Sequence, residues 1–108
     1  MRQITEAELK ELRITTANAY SFPRYKRTQW NVAIRSLANF DYNKEQIECI
    51  LRSKLMRWAA DQFADVGPRG GESLTGREIG MYLEKYPRAA KDLFEEAGIS
   101  PLRFALPG

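Results

Sequence analysis

Apolar residues return every three or four positions along most of this chain, the period of a helix with one buried face, and no stretch alternates as a strand would. Three segments open with the same punctuation. Thr5-Glu6-Ala7-Glu8 has the spacing of a capping box, with Ile4 and Leu9 placed as a hydrophobic staple around it. Thr75-Gly76-Arg77-Glu78 repeats the box with Leu74 and Ile79 as the staple, and Asn43-Lys44-Glu45-Gln46 is a looser version between Tyr42 and Ile47. Helix starts are therefore predicted near residues 5, 43 and 75.

The first helix is predicted from Glu6 to about Ala19, burying Leu9, Leu12, Ile14 and Ala17. Pro23 biases Phe22 away from helical dihedrals, so a loop follows. Thr28 can cap a second helix with Trp30, Ala33, Ile34 and Leu37 inward and Phe40 just past its end. Ile47, Ile50, Leu51, Leu55, Trp58, Ala59 and Phe63 keep helical spacing over about twenty residues and predict a long third helix. Three glycines and a proline make 66–73 a flexible loop. A fourth helix runs from about Gly76 to Tyr86, with Ile79, Tyr82 and Leu83 inward. A last one, about Arg88 to Ala97, closes at Gly98, with Ile99 against its end. The expectation is all-α: a compact bundle of about five helices forming one domain over 1–108, with a helix-turn-helix-like pair in its middle.

Composition narrows the chemistry. The chain has 108 residues and no histidine, which removes the commonest general base and the commonest neutral metal ligand. Cys49 is the single cysteine, so neither an internal disulfide nor a Cys/His zinc site can be built. No carboxylate-rich loop of the calcium type is present, and Arg69-Gly70-Gly71 lacks the Lys-Ser/Thr of a phosphate loop. These absences point away from an enzyme, with no cofactor and no metal expected. No apolar run approaches the roughly 20 residues of a membrane span, and the N-terminus has no apolar stretch of the secretory kind. A cytoplasmic protein is expected.

The net charge of +3 is unevenly spread. Residues 20–60 hold eight basic side chains against three acidic ones, a net of +5, while the remainder is −2. Such asymmetry suits a polyanionic partner, and equally a solvated surface with none. Phe22-Pro23-Arg24-Tyr25-Lys26-Arg27 interleaves cations with aromatics, a composition able to grip phosphate and stack on bases, or else to pack its rings under a solvated loop. Trp30 and Trp58 read as core anchors rather than stacking residues.

The segment Phe40-Asp41-Tyr42-Asn43-Lys44-Glu45-Gln46-Ile47-Glu48-Cys49-Ile50-Leu51 resembles the centre of a helix-turn-helix module, a short match that spans 29–51 when the second helix is included. The resemblance implies that the outer face of the helix from Lys44 approaches the major groove, with Lys44 and Arg52 meeting phosphate or guanine. Asp41 stands where that family usually has glycine, and Glu45 and Glu48 carry the wrong charge for a polyanion. Leu51-Arg52-Ser53-Lys54-Leu55-Met56-Arg57-Trp58-Ala59-Ala60-Asp61 looks like a segment of small uncharacterised phage and bacterial proteins, a likeness that brings no activity with it.

Two functions are thus in play. One is a small DNA-binding regulator or accessory factor of a phage or mobile element, using Arg24, Lys26, Arg27, Lys44, Arg52 and Arg57. The alternative is a protein-protein adaptor or phage-encoded inhibitor that binds an acidic surface of a host protein. The apolar tail after Ser100 offers a surface for a homodimer.

Overall fold

The computed structural model describes residues 4–17, 27–56, 58 and 67–101, with the side chains of 4–16, 31–56, 58 and 76–101. Among the described residues, five helices run in the order α1 (Glu6–Ala17), α2 (Arg27–Asn39), α3 (Lys44–Arg52), α4 (Gly67–Lys85) and α5 (Pro87–Glu96). A further helical turn begins at Lys54, and no strand occurs among the described residues. The fold is all-α. Its radius of gyration, 13.1 Å, equals the ~13 Å expected of a compact chain this long.

Local signals set two of the helix starts. At α1 the Glu8 amide donates to Thr5 Oγ1 at 3.1 Å, and the Thr5 amide donates to Glu8 Oε1 at 3.2 Å. At α3 the Gln46 amide donates to Asn43 Oδ1 at 2.9 Å while Gln46 Oε1 accepts from the Asn43 amide at 3.0 Å. Each box satisfies two backbone donors that would otherwise lack partners. α5 ends as predicted at Gly98, whose φ is 75°. The Gly98 and Ile99 amides reach back to Glu95 O and Phe94 O, both at 3.0 Å, and Ile99 packs on the core.

Two boundaries and one buried face differ from the sequence expectation. The expected flexible loop at 66–73 is helical from Gly67 onward, so Thr75-Gly76-Arg77-Glu78 lies inside α4 and starts nothing. Pro68 falls in the first turn, where its missing N–H costs no hydrogen bond. The long third helix is broken at Ser53, which is extended (φ −84°, ψ 168°). There the hydroxyl donates to Ile50 O at 2.6 Å and accepts from the Leu55 amide at 3.2 Å, closing one helix and opening the next. Finally, α1 turns Thr16 inward and leaves Ile14 57% exposed. The Thr16 hydroxyl can be buried because it donates to Leu12 O at 2.5 Å.

Leu9 and Leu12 from α1, Ile34 and Leu37 from α2, Ile47, Ile50 and Leu51 from α3, Ile79 and Leu83 from α4 and Phe94 from α5 form one continuous core. Its broadest interface joins α2 to α4. Glycine permits that approach: a Cβ on Gly76 would stand 2.6 Å from Ala33 O, and one on Gly80 would run into the Phe40 ring.

Candidate nucleic-acid interface

The turn between α2 and α3 is tight. Phe40 and Asp41 donate their amides to Leu37 O and Ala38 O at 3.0 and 2.9 Å. Asp41 then takes φ 66°, the left-handed conformation that short polar side chains tolerate better than others. Tyr42 is buried behind it, its ring edge-on to Phe94 at 5.8 Å, and Ile47, Ile50 and Leu51 pack inward. The bend around Asp41 is therefore present, and it leads α3 out with Glu45, Glu48 and Arg52 on its outer side.

The cations expected to face a nucleic acid are drawn into contacts with α1. Lys44 Nζ lies 2.6 Å from Glu11 Oε1, and the hydrogen bond to Glu11 raises the lysine pKa; desolvation opposes the rise, and the charges of Glu11, Glu48 and Glu8 add to it. Arg52 donates to Thr15 O at 2.8 Å, so it meets one of the last carbonyls of α1, and its Nε is 3.5 Å from Glu48 Oε1. Arg35 reaches Glu6 at 2.9 Å, and Arg13 on α1 donates to Asn31 Oδ1 at 3.0 Å. Four polar links thus strap α1 across α2 and α3. Glu6 and Glu11 come from outside the basic third, and their arrival lowers its excess from five charges to three.

Of the other expected site residues, Arg24, Lys26 and Arg57 lie outside the described residues, and Arg27 is the first residue of α2 with no side chain described. Trp30 likewise has no described side chain. Lys54 is exposed just after the Ser53 break, two residues beyond Arg52.

A second surface escaped the sequence reading. Trp58, expected in the core, is 43% exposed, and Tyr82, expected to point inward, is 36% exposed. The two rings are 6.2 Å apart at 47°, and Tyr86, 47% exposed, continues the row 5.0 Å from Tyr82 at 50°. Lys85 Nζ stands 5.5 Å from the Tyr86 ring centre, within cation–π reach. The four-residue spacing of Tyr82 and Tyr86 beside Lys85 was the available signal, masked by the equally good spacing of Ile79, Tyr82 and Leu83 toward the core.

Among the described residues no three His, Cys, Asp or Glu side chains gather as a metal site would require, and no helix is long and apolar enough to cross a membrane. The sole cysteine, Cys49, is half-buried with Sγ 3.7 Å from Leu93 O. Burial pushes its thiol pKa up, and Glu48 and Glu96 push it further, the opposite of what a nucleophile needs. No family model, curated protein or solved structure matches the chain.

Proposed function

We propose that the protein is a small, non-catalytic nucleic-acid-binding module. The observation that carries this reading is the left-handed turn at Asp41 followed by the Asn43 cap, which sets a helix-turn-helix-like pair inside the most basic third of the chain. Because Lys44 is committed to Glu11 and Arg52 to Thr15 O, the electrostatic contact falls to the Arg24-Tyr25-Lys26-Arg27 stretch and to Lys54 and Arg57. Phosphate neutralisation by such cations releases counterions, so affinity falls with salt by about one power per phosphate contacted.

The test is fluorescence anisotropy with a labelled random-sequence oligonucleotide over a salt series. Replacing Arg24, Lys26 and Arg27 together with alanine is expected to flatten the salt slope and weaken binding at least tenfold. Replacing Lys44 and Arg52 should change affinity less than about twofold. Affinity indifferent to salt, or the reverse ranking of the two sets, defeats the reading.

One observation favours the protein-adaptor reading instead. Ile14 is exposed over an apolar groove of about 300 Å³ lined by Ala7, Lys10, Glu11 and Thr15, and exposed apolar surface of this kind can mark a protein contact. A single stoichiometric protein partner lost on Ile14→Glu, with no oligonucleotide bound, selects that reading.

A further inference from the structure

We infer that the Trp58–Tyr82–Tyr86 row is a stacking strip for the unpaired bases of a single-stranded nucleic acid. The inference rests on the nucleic-acid reading and adds to it which form of nucleic acid is taken.

Three large rings stand in sequence on the surface with adjacent centres 5.0 and 6.2 Å apart, each more than a third exposed. Leaving such rings in water forgoes the burial that the same side chains obtain in a core. Tyr86 sits at the junction where α4 ends and Pro87 starts α5, so its ring is held by a helix boundary rather than by a loop. The strip can therefore be presented as a fixed surface.

Charge decides between occupants. Lys85 lies over the outermost ring, Arg88 is exposed two residues beyond it, and Lys54 is exposed four residues before Trp58. Among the described residues of α4, Glu78, one turn before Tyr82, is half-buried, and Glu84 is exposed between Tyr82 and Tyr86 beside Lys85. Glu84 lines the small cavity beside Leu83 and Pro87. A protein-protein contact concentrates apolar side chains at its centre and excludes charge there; here a lysine ammonium occupies the aromatic row itself. Rings bordered by cations match a strand whose bases stack while its phosphates pair with lysine and arginine. A duplex keeps its base faces inside the helix and offers nothing to such a strip.

The experiment compares a labelled 15-nucleotide oligothymidine with a 15-base-pair duplex against the full chain at low salt, using Tyr82→Ala/Tyr86→Ala and Tyr82→Phe/Tyr86→Phe variants whose folding is checked by circular dichroism. Stacking is worth about 1–3 kcal/mol per base, so the alanine pair should weaken strand binding about tenfold or more, while the phenylalanine pair stays within about threefold of the parent. Duplex binding should not move. Strand affinity unchanged by the alanine pair, or a duplex bound in preference to the strand, overturns the inference and leaves the nucleic-acid reading standing. Neither oligonucleotide bound, with or without a protein partner captured through the same tyrosines, overturns both.

Discussion

Gly76→Ala tests the packing on which the whole bundle depends. α4 lies on α2 with Gly76 against Ala33 and Ser36, and an added Cβ would stand 2.6 Å from Ala33 O, 2.7 Å from Ser36 Cβ and 3.1 Å from Ala33 Cα. Ordinary contact begins near 3.4 Å. The methyl therefore overlaps backbone by about 0.8 Å, and backbone within a helix cannot rotate out of the way as a side-chain end can. Overpacking of this kind costs about 1–3 kcal/mol, and the alanine regains about 1 kcal/mol of helix propensity over glycine. The balance is a loss of about 1 kcal/mol, with about 2 kcal/mol as the upper end. For a domain of this size that lowers Tm by about 4–8 °C per kcal/mol.

The assay is thermal and urea unfolding followed by far-ultraviolet circular dichroism, with the urea m-value expected to be unchanged. Gly98→Ala is the control. Nothing lies within 4 Å of a Cβ there, but φ is +75°, so its loss of about 1 kcal/mol comes from left-handed strain alone. The two glycines separate in combination. Gly98→Ala should add to any α2 substitution, whereas Gly76→Ala should couple to changes at Ser36. A Gly76→Ala protein that melts at or above the parent temperature refutes the close approach of α2 and α4.

Four further outcomes follow from the same geometry. Gly80→Ala presses only on the Phe40 ring among its nearest neighbours, so Phe40→Leu should recover at least ~0.5 kcal/mol of its cost in a double-mutant cycle; full additivity contradicts the contact. Gln46→Leu removes a buried amide that closes the Asn43 box and donates to Ser100 O at 2.9 Å, and should lower stability by about 1–3 kcal/mol in urea unfolding. Asp41→Val puts a β-branched residue at φ 66° and should cost about 1–2 kcal/mol, while a neutral result removes the left-handed turn. Cys49 should alkylate more slowly at pH 8 than in the unfolded chain, because burial, then Glu48 and Glu96, raise its pKa. A raised folded pKa means that this group's contribution to stability is whole below the unfolded value and is lost as pH climbs through the folded one.

What could be read from the sequence was what neighbouring residues settle among themselves. Thr5 with Glu8, and Asn43 with Gln46, lie one helical turn apart, and Gly98 meets α5 within five residues, so no knowledge of the fold was needed to place them. Ser53 could not be read because a serine in an apolar-periodic run leaves the period intact; only the backbone shows that its hydroxyl has taken both Ile50 O and the Leu55 amide. The start of α4 at Gly67 was hidden for a related reason. Gly67, Gly70 and Gly71 weaken a helix by propensity and Pro68 reads as a breaker, yet Pro68 falls in the first turn where it is tolerated, and the packing of α4 on α2 that holds the segment helical cannot be seen from composition.

The candidate site divides along the same line. The left-handed turn was legible because Asp41, Tyr42 and Asn43 carry it locally, whereas the fate of Lys44 and Arg52 depends on where α1 lands. Leu9 and Leu12 enter the core and bring Glu11 and Thr15 O to those two cations. Hydrophobic burial thus decided an electrostatic question: with α1 anchored by two leucines, the cations of α3 meet its carboxylate and carbonyl at the cost of ordering side chains alone. An exposed ion pair of this kind adds little stability on its own. Its consequence is positional, since a lysine already hydrogen-bonded to a carboxylate must break that contact before it can meet a phosphate. Any affinity for an anion therefore shifts toward cations that α1 does not reach, and Lys54, just past the Ser53 break, is exposed to serve.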